Sequence, residues 1–428
     1  MDSRTARADL SASRGAAPEH GAPAPRLRVV ASHGDRRAEN LLVHGDNLAA
    51  LRTLSPRLAG KVRCVYLDPP FNTGRAFAEY KDSLAGEAWA AMMRPRLEAI
   101  APLLADDGAV FAEIDDTELA RLQVLMDEVF GRKNRVSTIT IVRSAPTGHK
   151  AQNAGPVHVS DFLLAYAKDK KRWRYRPQVT TRAGLDPAYN TWLEQPDAPP
   201  ARWSFRPLRT AVAEALGHPS PREAQKALGR EAFASAVERH ALVHARHVVR
   251  FAQPRYEAIG RAAQRVVDRS RQAPSRVFVL EREGRPPFIV RGGNRVLFLS
   301  DKVREVDGRP RIVEPLTNVW TDVPFQGIAR EGGVVFSRNK KPERLVARVL
   351  AMATDPGDWV LDPFLGSGTT AAVAHKMGRR WIWVESGDHA RTLAEPRLAR
   401  VVAGEDPTGV TAWAGFQGGG GFGVATVD

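Results

Sequence analysis

The chain reads as an α/β domain on a mostly parallel sheet with helices on both faces, interrupted by a mixed α+β insert. Three observations predict this. Short apolar stretches alternate with helix-spaced amphipathic ones up to about residue 130, and again after residue 320. Two apolar stretches, Val65-Tyr66-Leu67 and Val360-Leu361, run straight into loops rich in acid, proline or glycine. Open α/β sheets hold their ligands at such places, beyond the carboxyl ends of the strands. Between the two blocks the chain turns basic and irregular.

Residues 1–30 are rich in Ala, Pro, Arg and Ser without apolar periodicity, which predicts a disordered basic tail. Residues 31–170 form the first half of the α/β domain. Asn40 to Val43 is a short buried strand, and a helix over 48–54 follows a cap at Asp46 or Asn47. A strand over 63–67 ends at Asp68-Pro69-Pro70-Phe71. Met92, Met93, Leu97, Ile100 and Leu104 share one face of a helix over 89–104. A strand over 108–114 and a helix over 117–130, ended by Gly131, complete this half. Residues 171–315 are the insert, with one polar helix over 222–238 and short hairpin strands over 277–280, 288–290 and 295–299. Residues 316–428 return to the α/β pattern: helices over 342–353 and 369–377, strands over 359–361 and 381–384.

Composition narrows the class. One cysteine, Cys64, excludes an intramolecular disulfide and a cysteine-rich zinc cluster, and fits a reducing cytoplasm. No apolar run approaches the roughly 20 residues that span a bilayer, and the N-terminus lacks a secretory apolar core. His44, His158 and His240 lack metal-type spacing, so no metal is expected. The formal net charge is +15, with 16 Lys/Arg against 7 Asp/Glu between Ala241 and Arg311. More than half of the surplus thus sits in one-sixth of the chain, and such a patch suits a polyanion, nucleic acid first.

Each loop has its own chemistry. Gly366-Ser367-Gly368-Thr369-Thr370-Ala371 follows a strand and opens a helix, so its glycines allow a close backbone approach to a nucleoside. Glu385 closes the next strand, about 20 residues on, where a carboxylate grips ribose hydroxyls. No lysine precedes Thr369, unlike a phosphate-cradling loop, and Asp362 would repel a pyrophosphate while suiting a cationic donor. In the other loop Asp68 and the Pro69 carbonyl can each accept one hydrogen of an exocyclic amine, turning its lone pair out of ring conjugation. Phe71 offers the ring a stacking face.

These residues resemble those of the amino-group DNA methyltransferases, in the permuted (beta) class whose catalytic loop precedes the cofactor loop. The likeness extends to Asn40 through Leu48, Arg94-Pro95-Arg96-Leu97, Glu113 through Glu118, Asp127 through Gly131 and Lys341-Pro342-Glu343-Arg344-Leu345. Gly418 through Phe422 is similar to the tail of type III restriction–modification modification subunits. The resemblance implies a Rossmann-like S-adenosylmethionine-dependent fold with Asp68, Pro69, Pro70 and Phe71 as the catalytic loop. It implies S-adenosyl-L-methionine held by Asp46, Lys341, Asp362, Phe364, Gly366, Ser367, Gly368, Thr369 and Glu385. Ser337-Arg338-Asn339-Lys340 departs from the family's usual run before Lys-Pro, and Phe71 stands for the more frequent Tyr.

Asp at the head of the loop then implies N6 of adenine in duplex DNA as target, reached by base flipping. N4 of cytosine stays open, as does a nicotinamide oxidoreductase, which would leave Asp68 through Phe71 without a task, or a DNA-binding protein without turnover. The insert is the expected target reader, with Trp173, Tyr175, Trp203 and Phe205 available to stack or wedge. A restriction nuclease subunit and a homodimer remain open as partners. Modification subunits are usually longer, which leaves a solitary or phage-borne enzyme equally open.

Overall fold

The computed structural model describes residues 26–73, 86–145, 155–306, 308–335 and 340–427. Its frame is a ten-stranded sheet. In spatial order the strands are Leu27–Gly34, Gly421–Val427, Leu41–His44, Arg380–Glu385, Trp359–Asp362, Val62–Leu67, Leu104–Ile114, Ser160–Ala167, Arg135–Val142 and Val319–Trp320. From Gly421–Val427 to Leu104–Ile114 neighbouring strands are parallel. Leu27–Gly34 and Ser160–Ala167 run against their neighbours.

Along the central strands successive side chains enter two different cores. Cys64, Tyr66, Val360, Trp381 and Trp383 face one, beneath the helices Glu343–Ala353, Thr369–Lys376 and Glu395–Ala403. Val65, Leu67, Leu361, Ile382 and Val384 face the other, beneath Asn47–Leu58, Gly86–Ile100 and Leu119–Met126. Burial on both faces is why these strands read as unbroken apolar runs. The doubly wound, Rossmann-like sheet is therefore as the sequence predicts.

The site is positioned by one pairing. Trp359–Asp362 lies beside Val62–Leu67, with Leu361 opposite Val65. From Asp362 the chain crosses through Thr369–Lys376 to Arg380–Glu385 on one side, and from Leu67 through Gly86–Ile100 to Leu104–Ile114 on the other. The two crossovers diverge over opposite faces, which opens a crevice at the strand ends.

Several expected boundaries move. The helix expected over 89–104 is Gly86–Ile100 with a 3-10 turn at Ala101–Leu103, because Pro102 has no N–H to extend the ladder. Leu104 instead begins a strand opposite Val62. The helix expected over 117–130 is Leu119–Met126 followed by a wide π turn, Asp127–Gly131. The single helix expected over 222–238 is two, Pro221–Leu228 and Arg230–Val243, split where Gly229 adopts φ +86°. Residues 27–30, assigned to the tail, join the edge strand Leu27–Gly34 because Gly421–Val427 returns to pair with it. The rest of the expected tail, residues 1–25, and the departure at Ser337-Arg338-Asn339 lie outside the described residues.

The insert has an antiparallel sheet in the order Val277–Arg282, Arg285–Arg291, Asn294–Phe298, Val248–Ala252, Thr191–Leu193, Phe205–Pro207. Trp203 and Phe205 meet Phe298 and Phe251 edge to face, and Trp173 packs on the main core, so these three aromatics are structural. Tyr175 is 44% exposed. Among the described residues no helix is long and apolar enough to cross a membrane.

Beneath the glycine loop four charged groups are sealed in the core. Glu343 pairs with Lys376 at 2.9 Å and with Arg397 at 2.7 Å, and Lys376 also reaches Asp406 at 2.8 Å. Removing Glu343 would take the carboxylate partner from buried Arg397 and leave Lys376 with Asp406 alone. Glu343→Ala is expected to lower stability by about 3–5 kcal/mol, read from the shift of the urea unfolding transition; a loss well under ~1 kcal/mol would contradict the assignment.

Candidate active site

Val62–Leu67 ends at the sheet edge and Asp68 continues into the crevice. Phe71 is 4% exposed and anchored in the core. Asn72 then takes φ +61°, rare for a residue with a side chain, and its amide donates to Glu118 at 2.6 Å. Trp89 Nε1 donates to the Pro70 carbonyl at 2.7 Å. Among the described residues none donates to the Pro69 carbonyl, which stands next to Asp68 in the loop.

A buried charge cluster stands behind Asp68. Lys341 Nζ lies 3.1 Å from Asp68 Oδ1 and 2.9 Å from Glu113 Oε1, and 4.5 Å from the centre of the Phe71 ring. The Tyr66 hydroxyl donates to the other Glu113 oxygen. Asp161, held by Arg143 at 2.7 Å, lies close by. Burial pushes the Asp68 carboxyl up to about 7; Lys341 pulls it down and Glu113 pushes it further up. Asp161 rises to about 6 for the same leading reason, desolvation.

The other wall is the glycine loop. Asp362 is 1% exposed, its Oδ1 accepts the Phe364 amide at 2.9 Å, and burial drives its carboxyl well above the usual range. Gly366 sits at φ +55° with open space where a Cβ would stand. Its amide donates to Glu385 Oε2 at 3.1 Å, and the Gly387 amide donates to Glu385 Oε1 at 2.9 Å. Burial alone would raise Glu385, yet His389, with Nε2 at 3.3 Å, and these two amides leave it below the usual range. Arg397, from the ion cluster below, donates to the Ser367 carbonyl at 3.0 Å and to Thr369 Oγ1 at 3.1 Å.

A single cavity of about 370 Å³ lies between these walls. It is lined by Asp46, Asp68, Pro69, Pro70, Phe71, Lys341, Asp362, Phe364, Gly366, Ser367, Thr369 and Glu385. Of the catalytic and cofactor residues expected from sequence, Gly368 alone is absent from the lining. At φ +79° its Cβ would come within 3.2 Å of the Ala394 Cβ, so it serves helix packing. Asp46 caps the helix Asn47–Leu58, accepting from the Ala49 amide at 2.9 Å, and pairs with Arg96 at 3.1 Å.

Lys341, expected on the cofactor, lines the cavity and makes its described contacts with Asp68, Glu113 and Phe71. The sequence reading missed Tyr66, Glu113, Met92, Arg96, Asn47 and His389. For His389 a signal existed, its place four residues after Glu385. Met92, expected on one helix face with Met93 and Leu97, packs against the core and also lines the cavity.

The chain matches a known family. Residues 62–235 and 292–396 match a protein family described as DNA methylase of the N6 and N4 type. The chain is similar to the HindVI Mod subunit of a type III restriction–modification enzyme of Haemophilus influenzae, 30% identical over 415 residues, covering 90% of this chain and 53% of that protein. It is also similar to the StyLTI Mod subunit of Salmonella typhimurium, 27% identical, covering 79% of this chain and 50% of that one. The chain thus spans about half the length of these relatives. Among solved structures, TTHA0409 of Thermus thermophilus in complex with S-adenosyl-L-methionine aligns over 91% of this chain and 98% of its own, at 15% identity and TM-score 0.41.

The two glycines should part under substitution. Gly368→Val is expected to destabilise by about 1–3 kcal/mol, from a β-branched side chain at positive φ against Ala394. Gly366→Ala, whose methyl enters the open cavity, should weaken nucleoside-ligand binding at least tenfold more than Gly368→Ala does. Thermal unfolding and calorimetric titration measure the two effects; equal behaviour of the two sites would refute the division.

Proposed function

Since the chain belongs to the DNA methylase family of N6 and N4 type, we propose that it moves a methyl group from S-adenosyl-L-methionine to N6 of adenine in duplex DNA. One observation carries the reading: the Asp68 carboxylate, the Phe71 ring and the Gly366–Glu385 cradle line the same cavity.

The residues present fit the cofactor. The space over Gly366 admits a nucleoside close to the backbone, and Glu385, kept ionised, can accept from ribose hydroxyls. Burial holds Asp362 toward its neutral form, and a positively charged sulfur beside it would favour the carboxylate where a pyrophosphate would oppose it. When bound, S-adenosyl-L-methionine supplies an electrophilic methyl on a sulfonium. A nicotinamide-dependent reaction would leave the Asp68 wall without a task.

Asp68 and the Pro69 carbonyl accept the two hydrogens of the target amine, which frees the nitrogen lone pair for in-line attack on the methyl. Phe71 stacks on the base. Taking that base out of the duplex costs a few kcal/mol, recovered by stacking and by these two hydrogen bonds. Asp at the head of the loop supports adenine over cytosine, as in the resemblance set out above.

The basic insert supports duplex DNA as partner. Arg269 and Arg276 lie over Phe278, and Arg282 and Arg295 over Phe288, so the guanidiniums are held in place on one sheet. Similarity to Mod subunits supports a restriction nuclease as a further partner.

Mass spectrometry of nucleosides from DNA treated with the protein and S-adenosyl-L-methionine should show N6-methyladenine. N4-methylcytosine alone would overturn the choice of base. Asp68→Ala should lower methyl transfer by at least ~10²-fold and leave cofactor affinity within a few-fold; retained transfer would overturn the mechanism. DNA affinity should fall steeply with salt, log K against log salt losing roughly 0.9 per phosphate contacted; a flat dependence would remove the insert from DNA binding.

A further inference from the structure

Lys341 belongs to neither loop, yet it is the residue in contact with both Asp68 and the ring that follows it. The ammonium is 6% exposed with the rest of its residue and sits between Asp68 and Glu113 at 3.1 and 2.9 Å. Glu113 is fully buried on the neighbouring strand Leu104–Ile114, and Tyr66 fixes its second oxygen. Two residues on from Lys341, Glu343 enters the sealed ion cluster, whose Arg397 holds the Ser367 carbonyl. The main chain on the C-terminal side of Lys341 is thereby pinned. Its described contacts include none with the cofactor loop from Gly366 to Thr369.

We propose that Lys341 is a positioning residue for methyl transfer: braced against Glu113, it holds the Asp68 carboxylate as a pure hydrogen-bond acceptor aimed at the target amine, and it does not hold the cofactor. The inference rests on the methyl-transfer reading and names a role within that site. A carboxyl that keeps its proton presents an O–H where the amine needs an acceptor. Three carboxylates, those of Asp68, Glu113 and Asp161, face two cations, Lys341 and Arg143, with Asp362 and the Tyr66 hydroxyl beside them. Burial pushes Asp68 toward its protonated form, and Lys341, the largest opposing influence, pulls it back so that the carboxylate is available above about 7. The Lys341 ammonium is itself held charged by these acids, whose pull outweighs the burial.

The sign follows from the neighbours. Lys341 favours the ionised Asp68, and Glu113 opposes it. Activity that needs ionised Asp68 therefore rises with pH along a limb near 7 in the natural protein. Lys341→Met should move the limb to higher pH, and Glu113→Gln should move it lower. General damage to the fold would not displace the limb in opposite directions.

The test is single-turnover methyl transfer over about pH 6 to 9 with Lys341→Met, Lys341→Arg and Glu113→Gln, alongside calorimetric titration with S-adenosyl-L-methionine. Lys341→Met is expected to lose about 10²-fold near neutral pH, to recover part of it at the alkaline end, and to bind cofactor within about threefold of the natural protein. Lys341→Arg should regain at least a tenth of the rate. A pH-independent loss in Lys341→Met, or a limb that moves the same way in Lys341→Met and Glu113→Gln, overturns the proposal. So does a tenfold loss of cofactor affinity with the limb in place. Should Lys341→Met fail to fold, Lys341→Gln takes its place, with the limb again expected at higher pH and an unmoved limb overturning the proposal. Failure of the methyl-transfer reading is distinct: the natural protein then forms no methylated base, or Asp68→Ala keeps its rate.

Discussion

The pairing of Trp359–Asp362 with Val62–Leu67 sets Asp362 and Asp68 at the same edge of the sheet, although the insert and several strands and helices of the α/β domain separate them in sequence. Parallel strands need long crossovers, and here these crossovers run to opposite sides and cover opposite faces. The crevice is therefore a consequence of sheet order, not of any loop. Both walls hang on strands buried on two faces, so the loops start from fixed points even though the loops themselves are irregular.

Electrostatics give the crevice its chemistry. Asp68, Asp362 and Glu385 all line it, and the fold treats each differently. Glu385 receives two backbone amides and His389, and stays below its usual range. Asp362 is buried with few compensating donors and rises well above it. Asp68 stands between, poised near 7 by opposing neighbours. Three carboxylates in three environments suit three tasks: gripping hydroxyls, facing a cation, and accepting from an amine.

Much of this was legible in the sequence because the signals were local. An apolar strand abutting Asp-Pro-Pro-Phe, and another abutting a glycine loop, mark the ends of buried strands whichever strands turn out to be neighbours. What stayed hidden depends on distant partners. Leu27–Gly34 is a strand only because Gly421–Val427 closes beside it. Lys341 looked like part of the cofactor loop's surroundings, since nothing local shows that Glu113 lies across from it. Gly368 sits in a phrase that reads as one ligand cradle, yet Ala394 decides that it serves packing. Gly229 was legible in principle, a glycine inside a polar helical stretch, but helical spacing continued across it.

The central claim is that one crevice holds both the methyl donor and the amine that receives it. The most direct measurement is a crystal structure of the protein with an unreactive S-adenosylmethionine analogue and duplex DNA containing its target. The account predicts an extruded adenine on Phe71, its amine between the Asp68 carboxylate and the Pro69 carbonyl, with the analogue over Gly366. A complex in which the analogue lies over Gly366 while the target base sits away from Asp68 would contradict it.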